Sequence, residues 1–260
     1  MKSFIAPQWL SFMHFDGQPI FDAIWAQQGN WVEPPNIRRG GWSGVSRLNL
    51  HDTGGNIVPV YIKRQENHCR PSLRHPIKGE ATFGREYRII KRLRDRQVPT
   101  LNPLYFGERV VDGANQAILM TESLEGYQSM ETLLDDGEMA AMAPVHKRRL
   151  ISALARTVRQ MHDAGVQHRS LYPKHLMVKQ DEGFSVALID LEKSRRCFIP
   201  FIHAVRDLST LNRHSPTLSR SQRVLFLREY LGVRKLGPAS RWLARLITGR
   251  ASRKESAKRG

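Results

Sequence analysis

The amino-acid sequence predicts an α+β fold with two lobes, a β-rich N-terminal lobe and a helical C-terminal lobe. Short runs rich in β-branched and aromatic residues fill the first half of the chain, and helical patterns fill most of the second. One long amphipathic pattern, HKRRLISALARTVRQMHDAG, begins just past the middle. With 260 residues, the chain is long enough for one large domain or two small lobes with a real core.

The first half is predicted to consist of strands up to about Gln65. GGWSGVSRLNL and NIVPVYIKRQ predict two strands, and HDTGGN between them predicts a hairpin turn because Gly, Asn and Asp favour tight turns. ENHCRPSLRHPIKGE has no periodicity and predicts a loop. NPLYFGERVVDGANQAILMTESL predicts two more strands around the turn DGAN. Between loop and strands, apolar residues at helical spacing predict a helix that the pair Val98-Pro99 ends: Phe83, Tyr87, Ile90 and Leu93.

The second half begins with the clearest helix. Its apolar face consists of Leu150, Leu154, Val158 and Met161, and Gly165 follows at the position favoured for a C-terminal cap. HLMVK and FSVALID around the turn QDEG predict a second hairpin, and helical patterns continue after residue 200.

The charge composition favours an anionic partner. The formal net charge of +17 suits nucleic acid, an acidic membrane surface or a phosphorylated substrate, although a solvated surface with a basic bias is the alternative. Nucleic acid is the disfavoured partner because no helix-turn-helix, RNA-recognition or zinc pattern is visible. Two distant cysteines, no signal-peptide pattern and no apolar run of transmembrane length lead us to expect a reduced, cytoplasmic compartment.

The segment MHDAGVQHRSLYPKHLMV matches a kinase catalytic loop, H-R-D-x-x-x-x-N, in part. His168 and Arg169 are in place, but Ser170 stands where the base aspartate belongs and His175 where the metal-ligating asparagine belongs. The loop follows a long helix and a glycine, which is the place of a catalytic loop. The match is therefore either accidental or belongs to a kinase fold with an altered catalytic centre.

Other parts of an ATP site occur in the order that phosphoryl transfer needs. Glycines before a strand could form a phosphate loop, or only a hairpin: Gly40, Gly41 and Gly44. Lys63 lies in an alternating strand, where it is either a phosphate ligand or solvated, and Glu86 on the next helix could pair with it. Glu122 ends a hydrophobic strand that could contact adenine through its backbone. Asp190 ends another strand and could hold magnesium, or only cap a turn.

These residues resemble the lipopolysaccharide core kinases of Gram-negative bacteria, the group that includes the InaA-type proteins. The similar stretches span roughly residues 40–212: REYRIIKRLRDRQVPTLNPLYFGE, ILMTESLEG, MHDAGVQHRSLYPKHLMV, ALIDLEKSRR and AVRDLSTLN. The resemblance implies a protein-kinase-like fold and ATP-dependent phosphorylation of a sugar hydroxyl in the lipopolysaccharide core or another anionic glycolipid. It also implies that Lys63 binds phosphate, that Glu86 anchors Lys63, that Asp190 binds Mg²⁺ or Mn²⁺, and that Asp207 braces the catalytic loop.

Ser170 is the departure from the family pattern. A serine can hydrogen-bond an acceptor hydroxyl but cannot take its proton near neutral pH, and positioned acid–base help typically contributes about a hundredfold to ten-thousandfold. The sequence therefore predicts a slow kinase, a kinase with a substitute base, or a pseudokinase that binds nucleotide as a sensor or scaffold. Glu192 is the nearest substitute, unless it pairs with a neighbouring cation. His175 is expected to orient the loop or to help manganese bind, and His168 to pack beneath the loop.

The predicted domain boundaries are 1–122 for the N-terminal lobe, 123–235 for the C-terminal lobe and 236–260 for a basic tail. The tail carries an apolar stripe among arginines, which predicts contact with an anionic membrane surface: Trp242, Leu243, Leu246 and Ile247. The alternative is a last helix packed on the second lobe. Membrane contact would make the protein peripheral at the cytoplasmic face of the inner membrane.

Overall fold

A computed structural model describes residues 2–7, 19–27, 29–38, 40–51, 56–70, 80–197 and 200–259. The chain divides into two compact units. Unit 1 comprises Met1–Lys91 and Leu101–Leu124, and unit 2 comprises Arg92–Thr100 and Glu125–Gly260. The three segments predicted from the sequence, 1–122, 123–235 and 236–260, stay predictions.

Unit 1 is built on an antiparallel sheet. Within the described residues the sheet has seven strands in the order β1-β8-β9-β5-β4-β2, and β3 also pairs with β4. A short ladder of β6 and β7 lies outside this sheet. The elements are β1 Lys2–Ile5, α1 Ile20–Ala26, β2 Asn30–Trp31, β3 Asn36–Arg38, β4 Gly41–His51, β5 Ile57–Glu66, β6 Cys69–Arg70, β7 Glu80–Ala81, α2 Thr82–Arg94, β8 Pro103–Val111 and β9 Ala114–Glu122.

Alternation along β5 fixes which side chains enter the core of unit 1. Val60 and Ile62 are fully buried in one apolar cluster, so Lys63 between two buried neighbours points to the opposite face. Helix α1 contributes Phe21 and Ile24 to the same cluster. The prediction of strands alone up to Gln65 is therefore wrong at α1, because seven residues are too few for a clear helical period.

The β8–β9 hairpin confirms the turn predicted from DGAN. Val111 pairs with Ala114, and the two residues between them, Asp112 and Gly113, both have positive φ. A two-residue turn with this geometry matches the right-handed twist of the strands it joins. The turn predicted from HDTGGN and most of the loop predicted after Glu66 lie outside the described residues.

Over its described residues, unit 2 is mainly helical and has three short β ladders. The strand order β10-β12-β13 forms one small sheet, and β11 pairs with β14. Two 3-10 turns cover Pro173–His175 and Leu191–Lys193. The elements are β10 Gln128–Ser129, α3 Met130–Asp135, α4 Glu138–Ala141, α5 Pro144–Asp163, β11 Val166–Gln167, β12 Leu176–Gln180, β13 Phe184–Leu188, β14 Arg195–Arg196, α6 Pro200–Arg213, α7 Arg220–Leu231 and α8 Pro238–Arg259.

Helix α5 is the centre of unit 2, and its predicted apolar face is confirmed. All four predicted face residues are buried, and Gly165 follows the helix with a φ of +69°. The helix packs against β13 and α7. The hairpin β12–β13 is also confirmed, with Leu176 paired to Leu188 at its open end.

Helix α7 is defined by capping residues at both ends, and helix α8 by its packing on α6. Helix α7 begins with a capping box, in which Ser219 and Gln222 satisfy each other's backbone N–H groups, and ends at Gly232 in the left-handed conformation. Helix α8 packs on α6, with Leu243 and Ile247 buried, whereas Trp242 is 54% exposed. Among the described residues, no helix combines the length and the apolar character needed to cross a membrane.

Candidate active-site residues

In unit 1, Lys63 and Glu86 form a buried ion pair. The Lys63 Nζ donates to the Glu86 Oε1 at 2.7 Å, with the two side chains 15% and 0% exposed. Strand alternation turns Lys63 away from the apolar cluster, and the same ammonium lies 5.9 Å from the Phe83 ring, one helical turn before Glu86. Because charges this buried are costly to leave unpaired, each residue holds the other in place.

The three candidate phosphate-loop glycines lie in the β3–β4 hairpin, where Gly40 is required by backbone conformation and the other two by close packing. Gly40 has a φ of +74° in the tight turn between the paired residues Arg38 and Gly41. A Cβ on Gly41 would come within 2.5 Å of the Glu66 carbonyl oxygen, and one on Gly44 would overlap the Trp31 ring. A role of these glycines in nucleotide binding stays a prediction.

Glu122 is the last residue of β9. Its N–H donates to the Asn102 carbonyl at 3.0 Å, and the next residue, Ser123, donates to the Pro59 carbonyl at 2.9 Å. Both N–H groups are therefore engaged, so a contact of Glu122 with adenine would have to use another of its groups. That contact also stays a prediction.

In unit 2, Asp207 on α6 holds the backbone of the loop that begins at His168. Its carboxylate accepts the His168 N–H at 2.7 Å and the Arg169 N–H at 2.9 Å, and the residue is almost completely buried. Arg169 adopts a φ of +69°, which is sparsely populated by residues other than glycine. The two hydrogen bonds therefore stabilise a strained turn just before Ser170.

A second layer of this network was not predicted from the sequence. His162 on α5 lies with its Nε2 3.2 Å from the Asp207 carboxylate and its Nδ1 2.9 Å from the Tyr230 hydroxyl on α7. The one available signal was a histidine placed four residues after Val158 on the apolar face of α5, since a polar residue there requires a buried partner. Tyr230 carried no such signal.

His168 is fully buried within unit 2. Its Nε2 donates to the Ile189 carbonyl at 3.0 Å, and Ser194 donates its hydroxyl to the His168 carbonyl. Burial lowers the pKa of His168 to about 4, against the opposing effect of Asp207. The imidazole is therefore neutral at neutral pH.

The loop also brings Ser170, His175 and Asp190 together. The His175 Nδ1 donates to the Ser170 carbonyl at 2.7 Å, and its Nε2 lies 3.1 Å from the Asp190 Oδ2. Burial lowers the pKa of His175, while Asp190 opposes that shift. Asp190 has a φ of +54° and a side chain that is 37% exposed, whereas Ser170 is 4% exposed.

Comparison with known proteins decides the family. A model of the lipopolysaccharide kinase (Kdo/WaaP) family matches residues 22–230 of the chain. The chain belongs to this family. The protein InaA of Escherichia coli K12 is 33% identical over 177 residues, which are 68% of the chain and 79% of InaA.

Two heptose kinases of the family are also similar. The lipopolysaccharide core heptose(I) kinase WaaP of Pseudomonas aeruginosa is 32% identical over 56% of the chain and 58% of the relative. The corresponding kinase of Escherichia coli K12 is 31% identical over 62% of the chain and 63% of the relative. The chain thus spans less than two thirds of either heptose kinase.

A solved structure extends the comparison to nearly the whole chain. The structure described as WaaP in complex with acyl carrier protein matches with a TM-score of 0.73 and 25% identity, and covers 97% of the chain and 99% of that protein. The predicted family resemblance and the predicted two-lobed kinase-like α+β fold are therefore confirmed.

The side chains around Asp190 fit a divalent metal ion that takes few ligands from the protein and most from water and substrate phosphates. The described residues hold no group of three or more His, Cys, Asp or Glu side chains arranged for a metal. Mg²⁺ in kinases is usually held by one or two carboxylates together with substrate phosphates, and a role of the Asp190 carboxylate as one of them stays a prediction. His175 Nε2 faces the same carboxylate, but imidazole is a poor ligand for Mg²⁺.

Glu192 follows Asp190 on the 3-10 turn Leu191–Lys193 and is half-buried. It has interaction partners of its own within the protein. Its role as a substitute base stays a prediction, as do the roles of the other candidate catalytic residues.

Proposed function

We propose that the chain is an ATP-dependent kinase that phosphorylates a sugar hydroxyl of the lipopolysaccharide core or a related anionic glycolipid. The observation that carries this proposal is the buried Lys63–Glu86 pair, 2.7 Å apart, because kinases require such a pair for phosphate binding. Membership of the lipopolysaccharide kinase family supports the class of acceptor.

In this proposal, Lys63 contacts the ATP phosphates and Glu86 keeps its ammonium in place. Asp190, two residues past the β12–β13 hairpin, holds Mg²⁺, or Mn²⁺ as the alternative, with a side chain that is 37% exposed. The metal neutralises charge on the transferred phosphoryl group when it is bound. His175 fixes the loop through Ser170 and lies against Asp190.

The proposal assigns acceptor binding to the loop that Asp207 braces. Ser170 hydrogen-bonds the acceptor hydroxyl and leaves its proton to solvent or to a substitute base such as Glu192. Transfer is then slow, since electrostatic stabilisation remains while positioned base catalysis is reduced. The second candidate is a pseudokinase that binds nucleotide without turnover, and Ser170 is the observation that favours it.

A transfer assay separates these candidates. Purified protein is incubated with labelled ATP and Mg²⁺ or Mn²⁺, with and without lipopolysaccharide core, and Lys63→Ala serves as the inactive control. Label that reaches the core only with wild-type protein supports the kinase. Nucleotide binding without transfer supports the pseudokinase, and binding of generic DNA or RNA without nucleotide binding would support the disfavoured nucleic-acid partner.

An acyl carrier protein is a second partner that we propose. The solved relative is a complex with acyl carrier protein, and unit 2 contains an apolar cavity of about 800 Å³ between α6, α7 and α8. Leu211, Phe226 and Ile247 line this cavity, which can hold an acyl chain.

Phe226→Asp should abolish co-elution with an acylated carrier protein, whereas exposed Val110→Asp in unit 1 should not. Equal behaviour of the two variants would exclude the cavity.

Contact of α8 with an anionic membrane surface also remains a proposal. Only part of the predicted apolar stripe is available, because Leu243 and Ile247 pack inward while Trp242, Arg241 and Arg245 are exposed. Trp242→Ser combined with Arg241→Gln and Arg245→Gln should reduce sedimentation with anionic vesicles at low salt. Neutral vesicles are the control. The same loss with both vesicle types would contradict a charge-dependent contact and with it a peripheral location at the cytoplasmic face of the inner membrane.

A further inference from the structure

Unit 2 has a second open cavity at the N-terminal half of α5. Its volume is about 740 Å³, and it is bounded by α5 and the turn of the β12–β13 hairpin. The side chains that line it are Pro144, Val145, Arg148, Arg149, Ser152, Arg156, Glu182, Gly183 and Phe184. We name this cavity the arginine cavity. None of these residues is among those assigned above to nucleotide, metal or acceptor.

The arginines of the cavity have no partners within the described part of the chain. Arg148, Arg149 and Arg156 are exposed, and no hydrogen bond or ion pair involves their guanidinium groups. Other cations on α5 differ, since Lys147 donates to the Ala140 carbonyl at 2.6 Å and Arg159 pairs with Asp163. The cations left unpaired are those that face the cavity.

The opposite wall of the cavity is fixed. At the tip of the β12–β13 hairpin, Asp181 accepts the Gly183 N–H at 3.1 Å and the Ser185 hydroxyl at 2.5 Å. These two bonds hold the turn that places Glu182 and Phe184 against α5. Glu182 is the one acidic residue among the described lining residues. With three arginines, the lining therefore carries a net charge of +2.

The charge pattern of α5 does not serve the stability of the helix. Its first turn contains no acidic residue, basic residues occupy positions 146–149, and its sole carboxylate is Asp163 at the C-terminal end. This distribution is the reverse of the one that the helix dipole favours. A local arrangement that opposes stability, with no compensating contact for the arginines, indicates a role in binding.

We propose that the arginine cavity binds a phosphate ester, carried by a saccharide or by a lipid headgroup. Guanidinium groups match phosphate oxygens with paired hydrogen bonds, and unpaired arginines around a concave surface present that geometry. Arg148 and Arg156 lie about 12 Å apart along the helix, from a rise of about 1.5 Å per residue, so a ligand with two phosphate groups can engage both. This proposal does not depend on kinase activity.

Binding is measured with the full chain by calorimetry, with glucose 1,6-bisphosphate as the soluble probe and glucose as its uncharged control. Vesicles that contain phosphatidic acid, compared with phosphatidylcholine alone, test the lipid headgroup. Arg148→Gln and Arg156→Gln should each weaken binding by about fivefold, since a charge-assisted hydrogen bond at an exposed site is lost. Glu182→Gln should strengthen it because repulsion is removed.

Arg159→Gln is the matched control, because it removes the same charge from the same helix outside the cavity. It should leave binding unchanged, and the unfolding temperature of Arg148→Gln should not fall below that of the wild type. Arginine-dependent binding of the bisphosphate identifies a saccharide phosphate, and arginine-dependent binding of vesicles alone identifies a lipid headgroup. No binding of either probe, or an equal loss in Arg159→Gln, would overturn the proposal.

Discussion

The ion pair of unit 1 and the loop of unit 2 differ in how much kinase chemistry their residues retain. In unit 1, Lys63 and Glu86 form the ion pair that the sequence predicted, with a distance of 2.7 Å between the Lys63 Nζ and the Glu86 Oε1. In unit 2, the loop keeps its support from Asp207, but a serine and a histidine replace the two groups that act on acceptor and metal in a standard kinase loop. The hydrogen bonds by which Asp207 holds the loop backbone are therefore independent of the side chains at positions 170 and 175.

The reason lies in which atoms Asp207 contacts. Its carboxylate accepts backbone N–H groups of His168 and Arg169, and neither bond depends on the side chain at position 170. A change of the base can therefore occur without loss of the loop conformation. The same reasoning predicts that the loop tolerates restoration of an aspartate.

The largest effect is expected from removing the support itself. Asp207→Asn replaces one acceptor oxygen by an NH₂ group that faces a backbone N–H, so the free energy of unfolding should fall by about 2–4 kcal/mol. Denaturant unfolding measures the change. Asp163→Asn, at an exposed carboxylate on α5, is the control and should cost less than about 0.5 kcal/mol. Equal costs for the two variants would mean that Asp207 does not hold the loop.

Removing Lys63 tests whether the ion pair of unit 1 contributes to nucleotide binding. A ligand at a hundredfold excess over its Kd adds about 2.7 kcal/mol to stability, and Lys63→Ala or Asp190→Ala should lose most of the gain that ATP and Mg²⁺ produce. Each variant is compared with its own unliganded form, because Lys63→Ala also leaves Glu86 buried without its cation. Lys147→Ala should keep the full gain. A wild-type melting temperature that millimolar ATP does not raise would contradict nucleotide binding.

The smallest effect is expected at the outer end of the loop support. Tyr230→Phe removes the hydroxyl that contacts His162 at 2.9 Å and should lower the free energy of unfolding by about 1 kcal/mol. Tyr127→Phe is the matched control, since its ring contacts Lys179 but its hydroxyl takes part in no hydrogen bond among the described residues. Equal losses of stability in the two variants would mean that the Tyr230 hydroxyl does not stabilise the network around Asp207.

Local patterns predicted most of the fold that positions these residues. The Asp112-Gly113 turn and the apolar face of α5 follow from a few neighbouring residues, so sequence alone sufficed. Helix α1 was missed because its seven residues give no clear period, and its burial depends on strands that follow later in the chain.

Contacts between distant parts of the chain were harder to predict. His162 and Tyr230 are 68 residues apart, so nothing in the local sequence of either indicates the other. Along α8, the sequence suggested one apolar stripe, whereas packing on α6 separates buried Leu243 from exposed Trp242. Along α8, the contact with α6 therefore decides which residues of the apolar stripe are covered.

The central claim is that the loop is supported as a kinase loop while Ser170 limits its chemistry. The most direct measurement is the rate of phosphate transfer from ATP to lipopolysaccharide core by Ser170→Asp and by wild type, at saturating nucleotide. We predict an increase of about tenfold or more, with unchanged stabilisation by ATP, because the new carboxylate acts on the acceptor. An unchanged rate in Ser170→Asp, together with loss of all transfer in Glu192→Gln, would contradict the claim, since Glu192 would then already serve as the base.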